Sequence, residues 1–391
     1  MRTALMTAAA VLGLAVLPAS FAQASTGSTA GSTAGSTAGS TAGKTGGTGA
    51  ARCDTAKLRQ AMDKLVKAGD VPGIAITVSS PDCGRTTLGS GLADKKTGRK
   101  MRGEERFRVG STTKTFTAVV VLQLVGEGKI DLDGTVDSYL PGVLPDTTTT
   151  VRQLLQHTSG LADYTTSKEF ADGEKNRFKH FEAADLVAAA LRMPKPSGPW
   201  HYSTTNYALA GMIVEKVTGH DIGHEITRRI IKPLGLRGTI WPGDNAKIPG
   251  RHARGYFSSE GELYDVTEWN MSFTGAGGAL VSTPADLTRF YAALLGGKLV
   301  GKAELAQMRT TVAADPARMW PGAQSGLGLY GTRLKHCRGT WWGHGGGFLG
   351  YRTLSAATDD GRQVSLAVNR HPNEVTPQLL DLVDSTLCEL H

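Results

Sequence analysis

The sequence predicts an α/β protein of the α+β kind, with one sheet assembled from the two ends of the chain and a helical region inserted between them. Three observations carry this expectation. Runs 74–78 and 86–93 are strand-like and flank Pro81-Asp82-Cys83-Gly84, the composition of a hairpin turn. Between residues 112 and 231 apolar side chains recur at helical spacing, in segments separated by Gly/Pro-rich loops. The last third returns to strand-like runs at 340–342, 351–357 and 363–368. A ligand site is expected where the two parts meet.

The elements follow in order. Arg2, an apolar stretch at 8–17 and the small-x-small run Ala22-Gln23-Ala24 read as a secretory signal peptide over 1–24. Its apolar run is too short to span a bilayer comfortably, and Cys53 lies far from the cleavage site, so no membrane anchor is expected. The product is expected to be secreted and extracellular, at most loosely wall-associated. Residues 25–51 form a Ser/Thr/Ala/Gly leader of low complexity, too polar to offset its ordering entropy. The remaining 52–391 form one domain, its sheet part at 52–108 and 271–391 and its helical part at 109–270.

Asp54 can cap a helix whose apolar positions are Leu58, Ala61, Met62, Leu65 and Val66, ending at Gly69. Further helices are predicted at 112–127, 151–156, 182–193, 206–217 and 222–231, then a turn at Asp359-Asp360-Gly361 and a closing helix at 377–388. Four cysteines allow three disulfide connectivities. If the first helix packs back along its strand, Cys53 falls near Cys83. A last helix beside the strand leading out of Cys337 favours Cys337–Cys388. No Cys-x-x-Cys pair suggests zinc or redox work, so no metal is expected.

Composition narrows the function classes. With 40% hydrophobic and 20% charged residues over 391 positions, the chain can bury a globular core, which excludes a coiled coil, a polytopic membrane protein and a disordered chain. The net charge of +8 is scattered rather than gathered on a recognition helix, so nucleic acid is not an expected partner.

Ser111 and Lys114 stand at i and i+3 at the start of a predicted helix, a spacing that puts hydroxyl and amine on one face. A desolvated lysine can take the proton that makes a serine nucleophilic, and helix-start N–H groups can hold an oxyanion. Alone, the pattern equals a common N-cap. Tyr202 enters a second helix, where a phenol near cations can lower its pKa and shuttle protons. His344-Gly345-Gly346-Gly347 follows the Trp341-Trp342 strand, where glycines let a substrate lie along the edge. A lipase oxyanion loop would need Gly-x-Ser-x-Gly, which does not occur.

Taken together, Phe107-Arg108-Val109-Gly110-Ser111-Thr112-Thr113-Lys114, Leu154-Leu155-Gln156-His157-Thr158-Ser159-Gly160-Leu161, Tyr202 to Tyr207, Gly275-Ala276-Gly277-Gly278, Ser282-Thr283-Pro284-Ala285-Asp286-Leu287 and His344-Gly345-Gly346 resemble the penicillin-recognising serine hydrolases. The resemblance is nearest to the branch of secreted D-alanyl-D-alanine carboxypeptidases and class C β-lactamases. It implies a five-stranded antiparallel sheet flanked by helices, with an all-helical domain. It also implies an acyl-enzyme on Ser111, proton exchange through Lys114 and Tyr202, tuning of Tyr202 by His344, and oxyanion donors at Ser111 and Gly347. Thr204, Gly345, Gly346, Trp269 and Phe170 are the implied substrate contacts, while His157 reads as structural. A D-Ala-D-Ala carboxypeptidase acting on peptidoglycan stem peptides is therefore expected, acylated by β-lactams, without cofactor and monomeric. The alternatives are an esterase, a β-lactamase or a D-aminopeptidase/amidase on another small acyl substrate, and a catalytically silent wall-binding homologue.

Two departures bear on that choice. Thr204 stands where this branch carries an asparagine that grips the substrate amide, and Asn206 lies two residues too far to replace it. Positions that receive the substrate carboxylate read Gly345, Gly347 and Tyr330, leaving Arg333 or Arg352 as substitutes.

Overall fold

A computed structural model describes residues 53–371 and 375–390. The expected signal peptide and leader lie outside the described residues. Thirteen strands are present among those described: β1 Gly73–Ser80, β2 Gly84–Asp94, β3 Arg99–Lys100, β4 Phe107–Arg108, β5 Tyr256–Ser259, β6 Glu262–Asp265, β7 Val281–Ser282, β8 Val312–Ala313, β9 Gln324–Ser325, β10 Tyr330–Arg333, β11 Thr340–Phe348, β12 Tyr351–Thr358 and β13 Gln363–Val368. Nine form one antiparallel sheet in the order β3-β2-β1-β13-β12-β11-β10-β9-β8. The two chain ends meet in its middle, where Ile74 of β1 faces Val368 of β13.

The expected five strands are the contiguous long ones, β2-β1-β13-β12-β11, and the expected count is corrected to nine. The four additions are two to four residues long and extend both edges, too short to show an alternating pattern. The inserted region is not all-helical either. It holds the hairpin β5–β6, whose turn uses Glu260 at φ 51° and Gly261 at φ 82°.

Alternation along β1 assigns its two faces. Ile74, Ile76 and Val78 pack on one side with Leu58 and Met62 of helix Ala56–Lys67 and with Leu382, Val383 and Leu387 of helix Thr376–Glu389. Helix Pro284–Leu295 covers the other side. Next to it, helix Thr113–Gly126 is buried around most of its circumference, because it also packs against helix Thr205–Thr218 of the inserted region. Asp54 accepts the Ala56 N–H at 3.0 Å at the start of the first helix. Cys53–Cys83 and Cys337–Cys388 are both bonded, as the topology favoured. Each closed loop restricts the unfolded chain and stabilises by about 2–4 kcal/mol.

Candidate active site

Ser111 lies in the 3-10 turn Gly110–Thr112, which leads straight into helix Thr113–Gly126. Gly110 makes that entry possible: its φ is 51°, and a Cβ there would sit 2.5 Å from the Gly347 carbonyl oxygen. Gly346 answers from the strand, since a Cβ on it would lie 1.8 Å from the Val109 carbonyl. The turn therefore rests directly on β11, beyond the point where β10 stops pairing at Gly343. The glycine run belongs to a strand that continues to Phe348, rather than to a loop following residue 342.

Lys114 is fully buried. Its Nζ lies 3.3 Å from Ser111 Oγ and donates to the Gly277 carbonyl at 2.8 Å. It also sits 4.9 Å from the centre of the Tyr202 ring and 5.4 Å from that of Tyr207. No carboxylate pairs with it among the described residues, and Asp163 opposes desolvation only through its field. Burial therefore pulls the amine down to about 7, so much of it is neutral at neutral pH.

Tyr202 also closes on Ser111. Burial pushes its phenol well above the usual value, while a hydrogen bond with Ser111 and the field of Arg352 pull the other way. The expected lowering by nearby cations is thus reversed, because the ring is buried and desolvation of a phenolate outweighs one guanidinium. The phenol stays protonated, and the amine is the better base.

The imidazole in ring contact with Tyr202 is that of His157, at 4.4 Å between centroids. His157 ends helix Val151–Gln156 in the left-handed conformation, φ 63°. Its Nδ1 accepts the Ser203 N–H at 3.2 Å and faces Asn206 Nδ2 at 3.2 Å. Its carbonyl accepts the His201 N–H at 2.9 Å. Burial, with the Lys114 charge second, keeps this ring neutral. Asn206 is committed here too, its Oδ1 accepting from Ser159 Oγ at 2.6 Å.

His344 packs edge-on against Tyr330 at 5.0 Å, and its Nδ1 bonds the Gly345 carbonyl, which fixes the proton on that nitrogen. Burial lowers its pKa to about 3, so the ring is neutral. Thr204 is 1% exposed and turns its methyl onto Gly277, where a Cβ would come within 2.6 Å; its hydroxyl has no partner among the described residues. Trp269 and Phe170 meet in one small recess with Phe273, Phe348 and Leu349, immediately after Gly347. Trp269 stands edge-on to Phe348 at 5.5 Å.

Sequence reasoning missed the Gly277 carbonyl and the stacking of His157. Both lie in segments already singled out by their composition, but only the fold brings them to Lys114 and Tyr202. His220, His224 and Glu225 are the one group among the described residues with metal-ligand spacing, and Glu225 is already bound to Arg228 and Arg229. Acyl transfer through a serine needs no metal or organic cofactor.

The β-lactamase family matches residues 58–386 of this chain. Penicillin-binding protein 4 of Amycolatopsis lactamdurans is 31% identical over 312 residues, 75% of either chain. A D-stereospecific amidohydrolase from Streptomyces sp. superposes with a TM-score of 0.77 at 38% identity, over 84% of this chain and 98% of its own. D-amino acid amidase from Ochrobactrum anthropi SV3, complexed with L-phenylalanine amide, does so with a TM-score of 0.75 at 30% identity, over 85% and 97%. Fold, motif order and these likenesses agree, and the chain belongs to the β-lactamase family of serine hydrolases.

Proposed function

We propose that this protein is a secreted, D-stereospecific amide hydrolase that carries the acyl group of a D-amino acid on Ser111. The observation that carries the reading is the Lys114 amine, unpaired with any acid among the described residues and 3.3 Å from the Ser111 hydroxyl. Ser111 Oγ attacks the substrate carbonyl as its proton passes to Lys114 Nζ, and the N–H groups of Ser111 and Gly347 receive the oxyanion. The C–N bond then breaks, and the leaving amine takes a proton relayed from Lys114 through the Tyr202 hydroxyl. Water attacks the ester by the reverse path, releasing the acid and restoring Ser111. Preference for the D configuration is supported by likeness to the amidohydrolase and the amidase.

The acyl group is one with a free amine. An acylated stem peptide would present an amide for an asparagine to hold, and Thr204, its hydroxyl buried and unpaired among the described residues, offers none. Carboxypeptidase action on stem peptides is the second reading, favoured by the likeness to a penicillin-binding protein.

The test compares release of amine from D-alaninamide, L-alaninamide and a D-Ala-D-Ala-terminated stem peptide, with intact-mass mapping of the adduct left by a β-lactam. The D-amide is expected to turn over fastest and the adduct to map to Ser111. Ser111→Ala is expected to lose both the adduct and about 10⁴-fold or more of the turnover. Preference for the stem peptide would install the second reading, and an adduct on any other residue would sink both.

A further inference from the structure

We infer that the cavity behind the short helical turn Gly275–Gly278 is a second ligand site, and that it takes a small organic cation with an aromatic or branched apolar body. The inference goes beyond the Ser111 reading and does not depend on it.

The cavity has a volume of about 510 Å³, the scale of sites that enclose a small organic molecule. Its walls come from helix Ala183–Leu191, helix Thr205–Thr218 and the segment from Met271 to Ala279. None of Ser111, Lys114, Tyr202 and the glycine run of β11 lines it. The turn Gly275–Gly278 divides the two sites. Lys114 Nζ and Thr117 Oγ1 donate to the carbonyls of Gly277 and Ala276, at 2.8 and 2.7 Å, while Gly275 and Ala276 also line the cavity. Gly211 lets helix and turn come this close, since a Cβ on it would lie 2.9 Å from the Ala276 Cβ.

Phe181, Leu186, Met212, Ile222, Trp241 and Met271 give the walls an apolar character. The hydroxyls among them are already engaged: Tyr164 Oη donates to the Phe273 carbonyl at 2.6 Å, Ser272 Oγ accepts the Phe181 N–H at 3.0 Å, and Thr274 Oγ1 donates to the Met271 carbonyl at 3.2 Å. A polyol would find few partners there, whereas an aromatic or branched body finds contact. The charge is one-sided. Glu215, Asp221 and Asp244 reach the cavity from its exposed edge, and His180 is the only basic side chain among its described lining residues. That imidazole is shared between Asp244 and Glu182, at 2.7 and 3.1 Å. Asp221 gives one oxygen to the His224 N–H at the start of the next helix. Glu215 and the other Asp221 oxygen are thus turned to the cavity edge with no cation from its walls, in a chain whose net charge is +8. Carboxylates so placed repel an anion and gain nothing from a neutral ligand, so positive charge on an apolar body is the complementary chemistry. Trp241 adds an aromatic face of the kind that attracts ammonium groups.

The test is calorimetry with three probes of one shape and different charge: phenethylamine, 2-phenylethanol and 3-phenylpropionate. Phenethylamine is expected to bind about tenfold more tightly than the alcohol, with the carboxylate weakest, and added salt should erode that margin. Glu215→Gln should weaken the amine by about fivefold and leave the alcohol within about twofold. Ala183→Trp, at a half-buried wall position, should fill the cavity and abolish binding of amine and alcohol alike, with thermal denaturation showing that the chain still folds. Ser111→Ala should bind the amine as the wild type does, whatever the substrate proves to be, so failure of the amide-hydrolase reading leaves this site standing. Equal affinities for amine and alcohol overturn the inference. So does amine binding that is unmoved by both Glu215→Gln and Ala183→Trp, which would place the amine in the Ser111 cleft.

Discussion

Arg229 and Lys114 are both cations withdrawn from water, and the molecule treats them in opposite ways. The Arg229 side chain is 10% exposed and is held between Glu225 and Glu127, whose hydrogen bonds raise its pKa. Lys114 is wholly buried, has only a hydroxyl and a carbonyl within bonding distance among the described residues, and is drawn down to about 7. A cation paired with acids keeps its proton and fastens helices together. One denied an acid becomes a proton acceptor at neutral pH, at the expense of stability. Function in this fold is thus marked by the charge left unpaired.

Lys114→Met sets activity and stability against each other most sharply. Turnover is expected to fall about 10³-fold or more, and the wild-type rise of kcat/KM with pH through about 7, as the amine loses its proton, should disappear. Stability should move the other way. Because the folded value lies below the ordinary 10.5, protonation opposes folding; the penalty is complete below about pH 7 and is relieved as pH climbs toward 10.5. Removing the amine should therefore raise the free energy of unfolding most in mild acid, by on the order of a few kcal/mol, with the gain shrinking in alkali. Denaturation curves across that range check it; a variant less stable at every pH would show that Lys114 is not a strained group.

Tyr202→Phe comes next. Without the hydroxyl, Lys114 can still take the proton of Ser111, but its transfer to the leaving amine lacks a carrier. A loss of about 10²-fold in kcat is expected, with the limb near pH 7 retained. If that limb vanished instead, the phenol rather than the amine would be the titrating base.

The contrast between the two cations also explains what could be read from residues alone. The i, i+3 pairing of Ser111 and Lys114 is a local property, so the sequence exposes it. Both disulfides followed from the order of helix and strand at each end. Burial is not local: the sequence shows charges near Tyr202 but not that the ring is dry, and so the direction of its pKa was misread. His157 reads as structural among Leu154, Leu155 and Gln156, and it touches Tyr202 only because a left-handed helix end turns the chain back. β8 and β9, two residues each, exist only because β10 offers an open edge, so no periodicity announces them.

Arg229→Met carries the smallest effect and tests the other half of the comparison. Its bond to Glu127, whose side chain is 37% exposed, is screened by water and contributes a few tenths of a kcal/mol at most. The bond to Glu225, whose side chain is fully shielded, dominates, although Arg228 can still satisfy part of that carboxylate. A loss of about 1–2 kcal/mol is expected, with kcat and its pH limb unchanged, because neither the helix nor its acids reach Ser111. Acid should reveal the mechanism. Glu127 is held at about 2 by the Arg229 and Lys129 hydrogen bonds, and Glu225 is lowered by its own arginines against desolvation. Their contribution is present above the ordinary carboxylate range and lost as pH falls below 4.5 toward 2. Wild type and Arg229→Met should therefore differ in Tm at neutral pH and converge in acid. A gap that persisted at low pH would mean that Arg229 acts through packing of its stem rather than through its pairs.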